Sequence, residues 1–505
     1  MFNAAADPAP SDVVLASVRQ PGDAACSNIH IRDGRIVAIS AAGPARNGDV
    51  VHLEGRHVIP GLWDEHVHMT QWALTASRMD LSAARSAREA AAAVRARIAG
   101  TEAGAATECA GTLVGVGFRD AVWVDQPTLE MLDDATQGLP AALISHDLHC
   151  VWLNSAAGER YGVRLDASGL LKEEAAFDLT RELGQLPEDI VDAKVLAAAK
   201  DAAARGIVGI VDFEMSWNRD PWLRRIAGGF RSFRVDAGIY AQDLGRARVL
   251  GLRTGQDVPG GEGLLKVGPL KVLIDGSLNT RTAFCVSPYP DGGRGLLTVS
   301  EAELLALLAE AKQGGLVPAV HAIGDAANRV ALDAFAAAGI RGRIEHAQFV
   351  REEDFARFGQ LGVTASVQPA HALDDRDAAE ANWSGRTTRA FALRSLLDAG
   401  ATLALGSDAP VAQLDPWTAM SAATTRAGAD GRGPWHPEQA ITRAEALTAS
   451  ARGRTRIKIG DPADIVVLDG DPLAVPDAVF ASMPVAATLV AGRFRHTDPA
   501  LSRAE

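Results

Sequence analysis

Between residues 58 and 408 eight short apolar runs recur, several separated by Ala-rich, helix-patterned segments, and this alternation constrains the fold more than any other feature. The runs are "VIPGLWDEHVHM" (58–69), "GIVGIVDF" (206–213), "FRVDAGIY" (233–240) and "LKVLID" (270–275), then "LVPAVHA" (316–322), "GRIEHA" (342–347), "VTASVQP" (363–369) and "TLALGSD" (402–408). Such runs suit strands buried on both faces, and segments such as "SEAELLALLAEAKQG" supply the crossover helices between parallel strands. Eight units of this kind predict an α/β fold, a (β/α)8 TIM-like barrel, with functional groups at the C-terminal ends of its strands.

The two ends of the chain have a different texture. Residues 12 to 57 read as short β segments divided by Gly, Asp and Asn turns, and "ADIVVLDG" and "VAATLVAGRFRH" return to that pattern near the C-terminus. We therefore expect a small composite β-sandwich domain from residues 1–57 and 455–505, and a barrel from 58–454. More than a hundred residues separate the first and second strand candidates, too many for one crossover. They predict an insertion at about 72–200 over the barrel mouth, where loops carry substrate contacts.

The question at the site is why two histidines, His66 and His68, end the first run with one residue between them. A strand turns its side chains over with period two, so both rings leave the same face. Two imidazoles converging on one point suit a metal, although an isolated pair is more often two polar residues at a strand end. The other strand candidates decide between these readings. The fourth carries Lys271, one of only seven lysines in the chain; the fifth ends in His321, the sixth in His346 and the eighth in Asp408. A barrel brings all six to one rim, and the set is far more specific than any member.

With these residues in place, the chain resembles the amidohydrolase superfamily, and within it amidohydrolase family 3, the branch of YtcJ-like and N-substituted formamide deformylase-like proteins. The likeness is carried in family order by "VIPGLWDEHVH", "SHDLHCVWLNS", "LKVLIDGSLNTRTA", "VHAIGDAANRVALDAF", "RIEHAQ", "LGSDAPV" and "GDPADIVVLDGDPL". The resemblance implies a metal-dependent hydrolase with one or two divalent ions. His66, His68 and Asp408 would hold the more buried ion and His321 and His346 the second. It also implies a carbamate on Lys271 that bridges them; the other readings are an ordinary lysine paired with an acid such as Asp275, and a site with one metal and no carbamate. Zinc suits imidazole-rich ligation best, and Mn²⁺ or Fe²⁺ would also be accepted. Asp408 is the implied general base.

Substrate contacts are expected from "SHDLHCVWLNS", where Asp147, His149, Trp152 and Asn154 match the family and Leu148 and Cys150 depart from its usual Gly and Ser. Asp275, Ser277 and Arg281 follow the fourth strand; Arg281 would orient a substrate oxygen or pair with a loop carboxylate. Trp72, Trp123, Trp152 and Trp383 fall in segments expected near the mouth, favouring an apolar or aromatic substrate portion, and Asp325 reads as a helix-start acid.

The implied activity is hydrolysis of a non-peptide C–N bond, such as an N-formyl or N-acyl amine, in a small molecule; a lactam or carbamate would use the same site. A deaminase of an aminated heterocycle is the competing enzyme. Deaminases of this superfamily typically carry His-x-x-Glu after the fifth strand, and here Gly324 stands at that spacing. A barrel that only binds a small molecule is the non-enzymatic alternative, weakened because no expected ligand is missing. Net charge of −13 opposes nucleic-acid binding, and no dinucleotide or P-loop pattern occurs. No apolar stretch is long enough to span a membrane and no signal peptide is evident, while Cys26, Cys109, Cys150 and Cys285 are scattered. These point to a cytoplasmic protein. Homodimers are the commonest oligomers, and the sequence adds nothing to that base rate.

Overall fold

The computed structural model describes residues 12–44, 48–100, 111–118, 123–145, 150–172, 174–290, 292–428, 430–499 and 501. The chain divides into two compact units, one of residues 1–69 and 196–505 and one of residues 70–195.

The first unit is built on an eight-stranded sheet in chain order: β1 (Leu62–Val67), β2 (Ile207–Asp212), β3 (Arg234–Tyr240), β4 (Leu265–Leu273), β5 (Pro318–Ala322), β6 (Gly342–His346), β7 (Val363–Val367) and β8 (Thr402–Leu405). Every neighbouring pair is parallel. Helices between strands follow the sequence signals. The one at Glu301–Gly314 starts on a capping box in which Ser300 and Glu303 satisfy each other's backbone N–H, and it stops at Gly315 in the left-handed conformation. Its Leu304, Leu308 and Ala311 recur at helical spacing and are buried. Burying each leucine contributes about 1.5–3 kcal/mol.

The sheet closes on itself at the C-terminal rim. Val67 and Ala409 form a parallel bridge, Asp408 N–H donates to His66 O at 2.7 Å, and His68 N–H donates to Ala409 O at 2.9 Å. The same unit holds two four-stranded sheets made from both ends of the chain. One comprises Val13–Val18, Ser27–Arg32, Arg35–Ala41 and Asp49–His52, and the other His57–Pro60, Ile465–Leu468, Val485–Val490 and Arg493–Thr497. Leu15, Ile29 and Ile31 from the first and Val58, Ile465 and Leu489 from the second share one core, as a β-sandwich requires.

The expected first strand is in fact two. His57–Pro60 is the edge strand of the sandwich, and the barrel strand starts at Leu62. Proline donates no hydrogen bond and is confined to such edges. Gly61 then carries the chain past Val208 so closely that a Cβ there would lie 2.4 Å from Val208 Cγ2.

Residues 70–195 form a unit with its own five-stranded sheet, ordered Leu170–Lys172, Cys150–Leu153, Ala141–Ser145, Leu113–Phe118 and Met79–Asp80. Trp123 and Trp152 lie in its core, where Trp123 stacks on Phe118 at 5.2 Å. Among the described residues no helix is long and apolar enough to cross a membrane.

The Gly61 junction yields a direct expectation. Gly61→Ala should destabilise the protein by about 1–3 kcal/mol through overpacking on Val208, measured by chemical denaturation, and Val208→Ala in the same chain should restore most of the loss.

Candidate metal centre

Six polar side chains predicted from the strand ends lie in or beside one cavity of about 230 Å³ in the first unit; His66, His68, Lys271, His321, His346 and Asp408 all line it. Their convergence follows from barrel closure and register. The seam that joins Asp408 N–H to His66 O carries the Asp408 carboxylate to the imidazoles of β1: Oδ1 lies 3.4 Å from His66 Nε2 and 3.3 Å from His68 Nε2. Pairing of Leu273 with His321 and of Ala322 with His346 sets β4, β5 and β6 at matching heights. The His321 and His346 rings meet edge to face at 4.5 Å.

Strand alternation alone would not place His346 here, because the preceding Glu345 also points inward. His346 resolves the conflict by a left-handed backbone, φ 71°, and Asp408 likewise has φ 56°. A non-glycine residue in that region costs about 1–2 kcal/mol. Two such residues at one cavity are strain held where side chains must be aimed.

His66 is almost wholly enclosed. Its Nδ1 donates to Glu345 Oε2 at 2.8 Å, which leaves the Nε2 lone pair facing Lys271 Nζ at 3.2 Å and the Asp408 carboxylate. Burial, with Lys271 nearby, pushes His66 down to about 4 and His321 down to about 3, and burial beside His321 takes His346 well below its ordinary value. Near pH 7 these three imidazoles are neutral and can offer lone pairs. Lys271, 2% exposed beneath the Phe213 ring, is pushed down to about 8 by burial. Burial opposes the charge on Asp408, but His66, the hydrogen bond from His68, and His346 and His371 hold it well below the usual carboxylate range.

The tightest grouping of ligand atoms among the described residues is His66, His346 and Asp408, all within 4.8 Å of one another. It draws one histidine from each of the two pairs that the sequence assigned to separate ions. His321 turns its Nε2 toward Gly276 O at 3.5 Å and Asp275 Oδ1 at 3.6 Å.

The expected substrate contacts divide differently. Asp147 and His149 lie outside the described residues. Trp152 is fully buried in the core of the 70–195 unit and donates to Thr128 O, and Trp123 packs beside it. Asn154 caps the helix that follows. Trp383 is also fully enclosed, stacked on Phe349 at 4.4 Å. These tryptophans serve packing, because the apolar runs that hold them turn inward to their own cores. Asp275 is 3% exposed and accepts the backbone N–H groups of Ile323, Gly324 and Phe284; burial still pushes it up to about 7. It organises the β4 and β5 loops rather than the cavity wall. Arg281 is exposed and outside the lining, whereas Ser277 belongs to it. Asp325 opens the helix Asp325–Ala338 and accepts Val286 N–H, a structural acid as expected.

Sequence reading missed Glu345, the partner of His66, and His371, which follows β7, is buried, and lines the cavity with no hydrogen-bond partner for Nε2 among the described residues. Glu345 had a signal: Arg343 and Glu345 place two charges at alternate positions of a short parallel strand, where apolar residues are the rule. His371 had none, since no ligand spacing connects it to a neighbour. The rest of the wall includes apolar Met215, Leu273 and Val411 and polar Asn279, Asp375 and Gln348.

The geometry can be set beside known proteins. The Arabidopsis thaliana protein LONG AFTER FAR-RED 3 is 30% identical, over 84% of this chain and 79% of that protein. The putative amidohydrolase YtcJ of Bacillus subtilis is 26% identical over 88% and 89% of the two chains, and the N-substituted formamide deformylase of Arthrobacter pascens 25% over 92% and 94%. The crystal structure of an uncharacterized metal-dependent hydrolase from Pyrococcus furiosus has the same fold, with a TM-score of 0.74, 23% identity, and coverage of 92% of this chain and 100% of that one. The amidohydrolase family pattern matches residues 49–496, which span the barrel, every candidate ligand and the second of the two sandwich sheets up to its last residue; this chain belongs to the amidohydrolase family.

Proposed function

We propose that this protein is a metal-dependent hydrolase that cleaves a non-peptide C–N bond, an N-formyl or N-acyl amide, in a small molecule. The observation that carries the reading is the set of neutral, buried imidazoles around one ionised carboxylate. Unbound, such a set would be costly to bury. Nδ1 of His68 and of His346 also meet no hydrogen-bond partner among the described residues. These donors fit a divalent cation of borderline softness, with zinc first and Mn²⁺ or Fe²⁺ acceptable. His66, His346 and Asp408 would hold one ion, with His68 and His321 at hand for it or for a second. A carbamate on Lys271 belongs to the same proposal, supported by an amine whose pKa burial brings to about 8, so that the neutral form that reacts with CO₂ is accessible. When bound, the ion would polarise the scissile carbonyl and acidify a water.

The chain's own residues supply the rest. Asp408, ionised and facing the cavity, takes the proton from the attacking water and passes it to the departing nitrogen. Met215, Leu273 and Val411 receive the apolar part of the substrate. At about 230 Å³ the cavity lies just below the usual size of ligand pockets, which suits a small amide. The name of the Arthrobacter pascens relative, N-substituted formamide deformylase, supports the N-formyl class. A deaminase is disfavoured on steric grounds. A Cβ at Gly324 would sit 2.0 Å from Phe284 O, so no glutamate can stand there to protonate a leaving amine. A cytosolic location also belongs to this proposal, resting on the scattered cysteines.

A mass-spectrometric screen of formanilides, N-acyl amines, lactams and aminated heterocycles, on metal-replete and chelator-stripped protein, tests the reading. Chelator-sensitive release of acid and amine is expected; ammonia release with the ring intact would contradict it. Asp408→Asn should lower kcat by about 10²–10⁴-fold on any substrate found, and a loss below tenfold would remove its assigned role.

Neutral buried histidines also have a thermodynamic signature. His66 and His321 titrate at about 4 and about 3 in the folded chain, against 6.5 ordinarily. The unfolded chain therefore binds protons that the folded chain refuses as pH falls from about 6.5 toward 4, and stability is lost through that window. Thermal denaturation of metal-free protein should show Tm falling from pH 6.5 to 4, with a shallower slope for His321→Asn; equal slopes would contradict the neutral-imidazole account.

A further inference from the structure

The interior of a (β/α)8 barrel is ordinarily filled by layers of branched apolar side chains. Here a continuous line of charged groups runs from the opposite end of the barrel to His66. Arg452 follows the helix Arg443–Ser450 and lies under the N-terminal ends of the strands, its guanidinium over the Trp63 ring at 3.2 Å. Its Nη2 donates to Asp236 Oδ2 at 2.7 Å and its Nε to Glu65 Oε1 at 2.7 Å. The other oxygen of Glu65 accepts Arg343 Nη1 at 2.7 Å, and Arg343 Nη2 also donates to Glu65 O and Ser366 Oγ. Arg343 Nε donates to Glu345 Oε1 at 2.5 Å, and Glu345 Oε2 accepts Nδ1–H of His66 at 2.8 Å.

Each carboxylate uses one oxygen toward each neighbour, so the line is directional and its groups are not interchangeable. Glu65 and Glu345 are 4% and 0% exposed, and no solvent can substitute for a lost partner. Arg452 is different: its side chain is about one-third exposed and borders a solvent-open cavity of about 500 Å³ on the N-terminal face. One end of the line is thus accessible and the other is a candidate metal ligand.

We propose that Arg343, Glu65 and Arg452 are positioning residues for the metal centre. Arg343 fixes the Glu345 carboxylate so that Oε2 meets His66 Nδ1; Glu65 fixes Arg343, and Arg452 clamps Glu65. The line thereby holds the His66 ring and its tautomer, with Nε2 presented to the ion, from the far side of the barrel. The inference rests on His66 being a metal ligand.

The test measures zinc stoichiometry and zinc affinity, by competition with a chromophoric chelator, for the full chain and for Arg452→Ala, Arg452→Lys, Glu65→Gln and Glu65→Gln/Arg452→Ala. Circular dichroism and Tm report folding. Outer partners of metal-bound histidines affect metal affinity by about 10–100-fold. Arg452→Ala and Glu65→Gln should each weaken zinc binding by about tenfold or more, with the double variant no weaker than the worse single one. Arg452→Lys keeps the charge, tolerates the half-open position and should recover part of the loss. Folded variants whose zinc affinity stays within about twofold of the parent, or additive losses in the double variant, would overturn the proposal. A parent chain that binds no zinc would instead overturn the metal reading beneath it.

Discussion

The rest of the molecule depends on one seam. Asp408 N–H on His66 O and His68 N–H on Ala409 O close the eight-stranded sheet at its C-terminal rim. The same two hydrogen bonds set the Asp408 carboxylate against the imidazoles of β1. Closure and site assembly are therefore coupled, and the Asp64 carboxylate adds to the seam by accepting Ser407 N–H. A register slip of one residue at this seam would turn both histidines out of the cavity, since side chains alternate with period two. The Gly61 junction protects that register from below by letting β1 leave the sandwich edge and pass Val208 at close range.

The site is built against the grain of folding. Four candidate-ligand histidines share one rim with a lysine and an aspartate, where burial opposes charge. The left-handed backbones of His346 and Asp408 add strain. The surrounding structure compensates with paired charges deeper in the barrel, where Glu65 and Glu345 bracket Arg343 at 2.7 and 2.5 Å. Such pairs return little net stability over apolar packing, yet breaking one is strongly destabilising. Their use here is orientation. An apolar barrel core would be no less stable, but it could not hold the Nδ1–H of His66 and leave its Nε2 free for a ligand.

Much of this was legible in the sequence, for physical reasons that differ by residue. The barrel strands announce themselves because parallel strands must be apolar on both faces. His66, His68, His321, His346 and Asp408 stand out because strand ends in a barrel converge, and Lys271 because lysine is rare in this chain. The split at Pro60–Gly61 was hidden, since one apolar run crosses two sheets without a change in texture. The tryptophans misled: burial of an aromatic ring reads the same from sequence whether it faces a substrate or a core, and Trp123, Trp152 and Trp383 face cores. Arg343 and Glu345 left a trace as charges at alternate positions of one strand, but the link from Arg343 to Glu65 joins residues 278 positions apart, which no local pattern encodes, and His371 has no ligand spacing to a neighbour.

The central claim is that the rim is a metal centre, and anomalous diffraction from crystals grown with zinc tests it most directly. The account predicts an anomalous peak at coordination distance, about 2.0–2.2 Å, from His66, His346 and Asp408, with His66 Nδ1 still bonded to Glu345. Peaks confined to the protein surface, with Lys271 paired to Asp408 and the cavity filled by solvent, would contradict it.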